Sequence, residues 1–118
     1  MPLVEVALTK PDGHGFRLWT LLDTGATVSL FPVGIADALD LDWASAPTCP
    51  VTGISGGPIE AHVLSVQVEL CEATYRWKTD IAFLPGSLPF PLLGHHGFFE
   101  HFEVRFKTSQ RRFRVHLR

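Results

Sequence analysis

Ten glycines and nine prolines are spread along 118 residues at intervals rather than massed in one tract. Glycine admits backbone conformations closed to other residues and proline withdraws a backbone donor, so each one punctuates regular structure. The chain is thereby cut into many short segments, which predicts an all-β architecture with at most one or two short helices. Leu3 to Thr9 alternates apolar and β-branched residues, Pro11-Asp12-Gly13-His14-Gly15 is turn material, and Phe16 to Leu22 is a second apolar run, so these segments read as a hairpin. Ile59 to Leu70 and Tyr75 to Leu84 read as two long strands, and shorter ones are expected at Thr27 to Phe31, Glu103 to Lys107 and Arg112 to Leu117. Val33 to Leu41 sets Ile35, Ala38, Leu39 and Leu41 at helical offsets just after Pro32, which predicts a short helix there. His95 to His101 has room for one or two further helical turns.

The length fits a single domain over residues 1–118. Hydrophobic residues at 46% against 19% charged exclude a disordered chain and suffice for a buried core. Ten Lys and Arg against twelve Asp and Glu give a formal charge of -2, which argues against nucleic acid as a partner. The start, Met1-Pro-Leu-Val-Glu, lacks the basic and apolar parts of a signal peptide, and no run approaches the ~20 apolar residues of a bilayer span. A cytoplasmic protein with no membrane partner is expected. Cys49 and Cys71 are too few for a disulfide framework and stand at no zinc-binding spacing, so both are expected to be reduced and half-buried.

The chemistry concentrates in Leu21-Leu22-Asp23-Thr24-Gly25-Ala26-Thr27. A carboxylate set between two apolar runs is costly unless something uses it. One use is local: Asp-X-Gly often forms an Asx turn in which the side chain bonds its own backbone. The other is catalytic, and the order of the remaining motifs bears on it. Val51-Thr52-Gly53-Ile54-Ser55-Gly56-Gly57 is a glycine-rich hairpin tip, and Leu92-Leu93-Gly94 is an apolar-apolar-Gly triplet about 70 residues after the acidic turn.

In that order of motifs the chain resembles the retropepsin-like aspartic proteases over nearly its whole length, and resembles the cellular and bacterial members, with their helix after the acidic loop, more than the compact viral ones. The resemblance implies a closed β-barrel and a homodimer, in which Asp23 of each subunit faces the other across a two-fold axis. Peptide hydrolysis without a metal or a nucleophile needs an activated water and an acid for the carbonyl oxygen, and two carboxylates sharing one proton supply both. Thr24 would hydrogen-bond across the axis, Gly25 would let the substrate backbone approach, Ala26 would support the active-site loop, and Gly53, Ile54, Ser55, Gly56 and Gly57 would form a flap that closes over a peptide or protein substrate. Leu92, Leu93 and Gly94 would pass beneath the catalytic loop. No cofactor and no metal is implied. The alternative on the same fold is a peptide-binding or dimerisation module with weak or lost catalysis.

Two positions depart from the viral pattern. Many viral members carry an acidic residue two positions after the motif's glycine and an arginine directly after the later triplet; here these are Thr27 and His95. His95, His96 and His101 lie close together, yet the segment is better explained as a short helix after the Gly94 turn than as a metal site. Trp19, Trp43 and Trp77 are read as core or interface aromatics, since none is interleaved with basic residues. Arg111, Arg112, Arg114 and Arg118 on the last strand read as a solvated face. If the second carboxylate came from the same chain, Asp37 and Asp80 would be the first to consider.

Overall fold

The computed structural model describes residues 2–10, 12–52, 57–86, 88, 90–107 and 112–118. In β1 (Leu3–Thr9), Val4, Val6 and Leu8 are fully buried, while the residues between them are half-buried. That period of two is the sequence alternation made physical. β1 pairs antiparallel with β2 (Gly15–Leu22), from Leu3↔Leu21 to Thr9↔Gly15. The connecting turn is closed by the His14 N–H donating to Asp12 Oδ1 at 2.9 Å. Then come β3 (Leu30–Pro32), α1 (Val33–Ala38), β4 (Thr48–Val51), β5 (Ile59–Leu70), β6 (Tyr75–Leu84), β7 (Leu92–Leu93), β8 (Phe102–Lys107) and β9 (Arg112–Leu117).

Seven strands form one sheet in the order β1-β2-β7-β3-β6-β5-β4. β1 also pairs with β5, so the order returns on itself and leaves β4 as an outer strand; β8 and β9 make a separate two-stranded sheet. β6 explains how the sheet carries a site. Its first half alternates in burial, but Ile81, Ala82, Phe83 and Leu84 are all buried. Ile81 and Phe83 belong to the large core with Val4, Val6, Leu8, Trp77 and Phe98. Ala82 and Leu84 belong to a smaller cluster with Leu30, Val51 and Ala61. A strand buried on both faces loses the polar half of its pattern, and here that double burial separates the main core from a second apolar layer.

Three expectations need correcting. The helix predicted to reach Leu41 ends at Ala38, because Asp40 takes a left-handed conformation (φ 56°). The N–H groups of Asp40 and Leu41 then turn back to the carbonyls of Asp37 and Ala36, at 3.0 and 2.9 Å, and close the last turn. Residues 95–101 form hydrogen-bonded turns rather than a helix, since Gly97 at φ 111° breaks any continuous helical path. The strand expected from Thr27 begins at Leu30, and Val28 makes only an isolated bridge with His96. The first arm of the glycine-rich hairpin is β4, which pairs antiparallel with the start of β5 from Val51↔Ile59 to Thr48↔His62. Pro50 fits there because β4 lies at the end of the strand order, where its missing donor costs no ladder bond.

No helix among the described residues is long and apolar enough to cross a membrane. Cys49 and Cys71 are half-buried and unbridged. Burial, with Glu5 nearby, pushes the Cys71 thiol above its ordinary range. The thiolate is the reactive form, so alkylation of Cys71 by iodoacetamide should be slow at about pH 8 and still climbing past about pH 9. Peptide mass mapping against pH checks this, and a plateau below pH 9 would contradict it.

Candidate active site

β2 delivers Asp23 to the end of a parallel ladder. Leu21 and Leu22 stand opposite Leu92 and Leu93 of β7, and the Asp23 N–H continues the pairing to the Leu93 carbonyl at 3.0 Å. Past that point the chain turns tightly. The Ala26 N–H donates to the Asp23 carbonyl at 3.1 Å, and the Gly25 N–H donates to Asp23 Oδ1 at 2.9 Å. The Asx turn is therefore formed. It leaves Asp23 half-buried, with its carboxylate at the edge of a cavity, so the local and the catalytic readings do not compete.

The loop from Asp23 to Ser29 arches over β7, which lies between β2 and β3. It is fastened to the turn after Gly94 by a series of bonds: the His95 N–H to the Ala26 carbonyl at 3.0 Å, the His96 N–H to the Thr27 carbonyl at 2.9 Å, and His95 Nε2 to the Thr24 carbonyl at 2.8 Å. Ser29 is fully buried and joins both sides, its Oγ donating to the His96 carbonyl at 2.9 Å and accepting from the Gly94 N–H at 3.1 Å. Trp77 Nε1 donates to the Gly97 carbonyl at 2.8 Å and ties the same turn to the core. Ser29 was not singled out from the sequence. Its signal was available, as the one hydroxyl in the otherwise apolar run from Val28 to Phe31.

The cavity has a volume of about 410 Å³. It is lined by Asp23, Gly25, Ala26, Thr27 and Val28 of the loop, by Leu30 and Leu92 of β3 and β7, and by Cys49, Pro50, Val51 and Thr52. Leu30 and Val51 come from the smaller apolar cluster, and Val28, Cys49 and Leu92 pack against it, so the cavity lining continues the second layer of the core. Among the described lining residues Asp23 is the sole carboxylate. Asp37 is engaged by Trp43 Nε1 at 2.7 Å, and Asp80 lies 3.7 Å from His96 Nε2; neither lines the cavity.

Thr24 is exposed beside the site, and Leu93 is fully buried beneath it. Of the expected flap, Thr52 and Gly57 are described, while Gly53, Ile54, Ser55 and Gly56 lie outside the described residues. His96 Nδ1 and His101 Nε2 lie 3.5 and 3.4 Å from the Glu100 carboxylate, and neither histidine is among the described residues lining the cavity. Among the described residues no three His, Cys, Asp or Glu side chains converge as metal ligands. Trp77 packs in the core against Phe98 and Phe102, Trp43 stands edge-on to His62, and Trp19 is 54% exposed on β2.

No family model and no curated protein matches the chain. Among solved structures it is similar to a retropepsin-like aspartic protease from Rickettsia conorii, with a TM-score of 0.62 and 18% identity over 91% of this chain and 87% of that one. It also matches the EIAV protease complexed with the inhibitor HBY-793, with a TM-score of 0.47 and 22% identity over 80% of this chain and 81% of that one. The chain has the retropepsin-like all-β fold.

Proposed function

We propose that residues 1–118 form one aspartic endopeptidase domain that acts as a homodimer on peptide or protein substrates, with Asp23 of each subunit forming the catalytic pair. The observation that carries this reading is the Asp23 carboxylate, the sole one among the described lining residues, held by the Gly25 N–H at an open cavity that Leu30, Val51 and Leu92 also line. One carboxylate cannot both accept and donate a proton, and a second copy brought up by a two-fold axis supplies the partner. In the reaction the ionised member of the pair takes a proton from water as its oxygen bonds to the scissile carbonyl carbon. The protonated member gives its proton to the carbonyl oxygen. As the tetrahedral diol collapses, the member that gave its proton takes one back from a diol hydroxyl, the other passes the proton it took from water to the leaving amine, and the C–N bond breaks, so the pair again holds one proton. The chemistry calls for no metal or cofactor. The segment at 51–58 would serve as the flap that excludes bulk water, with Cys49 and Val51 of β4 at its base.

Mixing wild-type and Asp23→Asn subunits in equal amounts tests the shared site. Random exchange leaves about a quarter of the dimers fully wild type, and activity should fall to that fraction. A site complete within one chain would retain about half, because every wild-type subunit would still work. Exchange is driven by diluting below the dimer constant and reconcentrating, and dilution alone should lower activity per mole. Activity independent of both dilution and mutant dosage would overturn the homodimeric mechanism.

A further inference from the structure

The peptide unit between Thr24 and Gly25 is held at both ends. Its carbonyl accepts from His95 Nε2 at 2.8 Å, and its N–H donates to Asp23 Oδ1 at 2.9 Å. A carbonyl oxygen can only accept, so Nε2 carries the imidazole proton. The His95 main chain makes a second bond, donating to the Ala26 carbonyl at 3.0 Å, so one residue fastens the loop on both sides of Gly25. The ring is itself fixed, lying 5.3 Å from the Phe99 ring between centroids. Glycine offers little conformational resistance, so the peptide before Gly25 is the one in this loop most easily turned over. Turned over, it would present its carbonyl to the carboxylate in place of its N–H, oxygen against oxygen. The bond to Nε2 opposes that turn. It also polarises the peptide and strengthens the N–H that faces Asp23.

We propose that His95 is a positioning residue for the Asp23 carboxylate, its imidazole N–H pinning the Thr24–Gly25 peptide so that the Gly25 N–H stays aimed at Oδ1. The hydrogen-bond arrangement stands by itself, and its catalytic consequence rests on the aspartic-endopeptidase reading. His95 thus works at a distance from the reacting atoms, through a peptide plane. A residue with no side-chain donor at this position would leave the main-chain bond to Ala26 intact while freeing the Thr24 carbonyl.

Two variants and one measurement on the wild-type chain test this. His95→Phe keeps a ring against Phe99 and deletes the donor; His95→Gln puts a donor back on a side chain of similar reach. In the Phe variant kcat should fall roughly tenfold to a hundredfold with KM within about twofold, the loss expected when a catalytic group drifts by a fraction of an ångström to an ångström. The Gln variant should recover most of that loss. The Gly25 amide proton should move upfield in the Phe variant and return in the Gln variant. In the wild-type chain, ring nitrogen shifts should show His95 protonated at Nε2 and bare at Nδ1. A wild-type Nδ1–H tautomer, an unmoved Gly25 amide in the Phe variant, or Phe and Gln variants equally impaired would each overturn the proposal. If the Phe variant does not fold, the wild-type tautomer and the Gln variant decide. If the wild-type protein has no peptidase activity, the endopeptidase reading fails while the amide and tautomer readouts still decide the role of His95.

Discussion

Asp23→Asn is expected to leave the fold intact and to lower peptide hydrolysis by about 10²–10⁴-fold, the contribution of a positioned general acid–base group. The two expectations have separate physical grounds. The Asn side chain keeps an oxygen where Asp23 Oδ1 accepts from the Gly25 N–H, and the backbone bonds of Asp23 to Leu93 and Ala26 are indifferent to the change. The half-buried side chain sheds a charge and gains an NH2 whose two donors can reach solvent at the open cavity, so the melting temperature should stay within a few degrees of wild type. Proton transfer, by contrast, is lost outright, because an amide neither takes a proton from water nor hands one to a carbonyl oxygen at ordinary pH. Hydrolysis of a fluorogenic peptide library, with and without a statine-type transition-state mimic, measures the loss. Activity retained in a clean preparation would end the aspartic-protease reading.

The local rules carried much of the fold. β1, β5, β6 and β9 fall where alternation and β-branched content put them, because each packs at least one face on apolar neighbours and the sequence records it. The places where sequence reading fell short are places where a long-range contact decides. α1 stops at Ala38 because Asp40 turns left-handed and pairs with Lys10, at 2.7 Å and thirty residues away, which no helical periodicity anticipates. β4 was obscured by Pro47 and Pro50, since a proline-bearing strand is credible only at an edge, and edges are not visible in a single sequence. Residues 95–101 have helix-compatible residues, but the turn is set by Ser29 and Trp77, which bond the backbone at 96 and 97.

The candidate site was legible to the same degree. Asp23, Gly25 and Ala26 were readable from Leu-Leu-Asp-Thr-Gly-Ala, and they line the cavity. Val51 and Thr52, which also line it, stood at the start of the expected flap segment, whereas Cys49 was not singled out, because its place there depends on β4 pairing with β5. Ser29 and the His95 ring were missed as loop fasteners because each acts on backbone groups about 65 or 70 residues away, and backbone partners leave no mark in side-chain chemistry.

Gly94→Ala should be strongly damaging, and the reason is the absence of space rather than of flexibility. A Cβ at Gly94 would run into the carbonyl oxygen of Val28 and lie 2.6 Å from that of Ala26. Both obstacles are backbone atoms, so no rotamer change relieves them. Both also belong to the Asp23–Ser29 loop, and Ala26 is already bonded through its carbonyl to the His95 N–H. Making room means lifting that loop off the turn, which would weaken the bonds from His95 to Ala26, from His96 to Thr27 and from Gly94 to Ser29 together. Overpacking a tight site costs about 1–3 kcal/mol, and the buried bonds lost with it bring the expected destabilisation to about 3 kcal/mol or more. For a domain of this size that is a fall of roughly 10 °C or more in melting temperature, readable by calorimetry. Activity should fall further than stability predicts, since the loop that must move is the one that carries Asp23. Gly34→Ala provides the control: a Cβ there meets nothing within 4 Å, and alanine favours the helix that Gly34 occupies, so its melting temperature should be unchanged or slightly raised. Equal melting temperatures for wild type and Gly94→Ala would mean that the loop does not rest on the turn as closely as the backbone distances require.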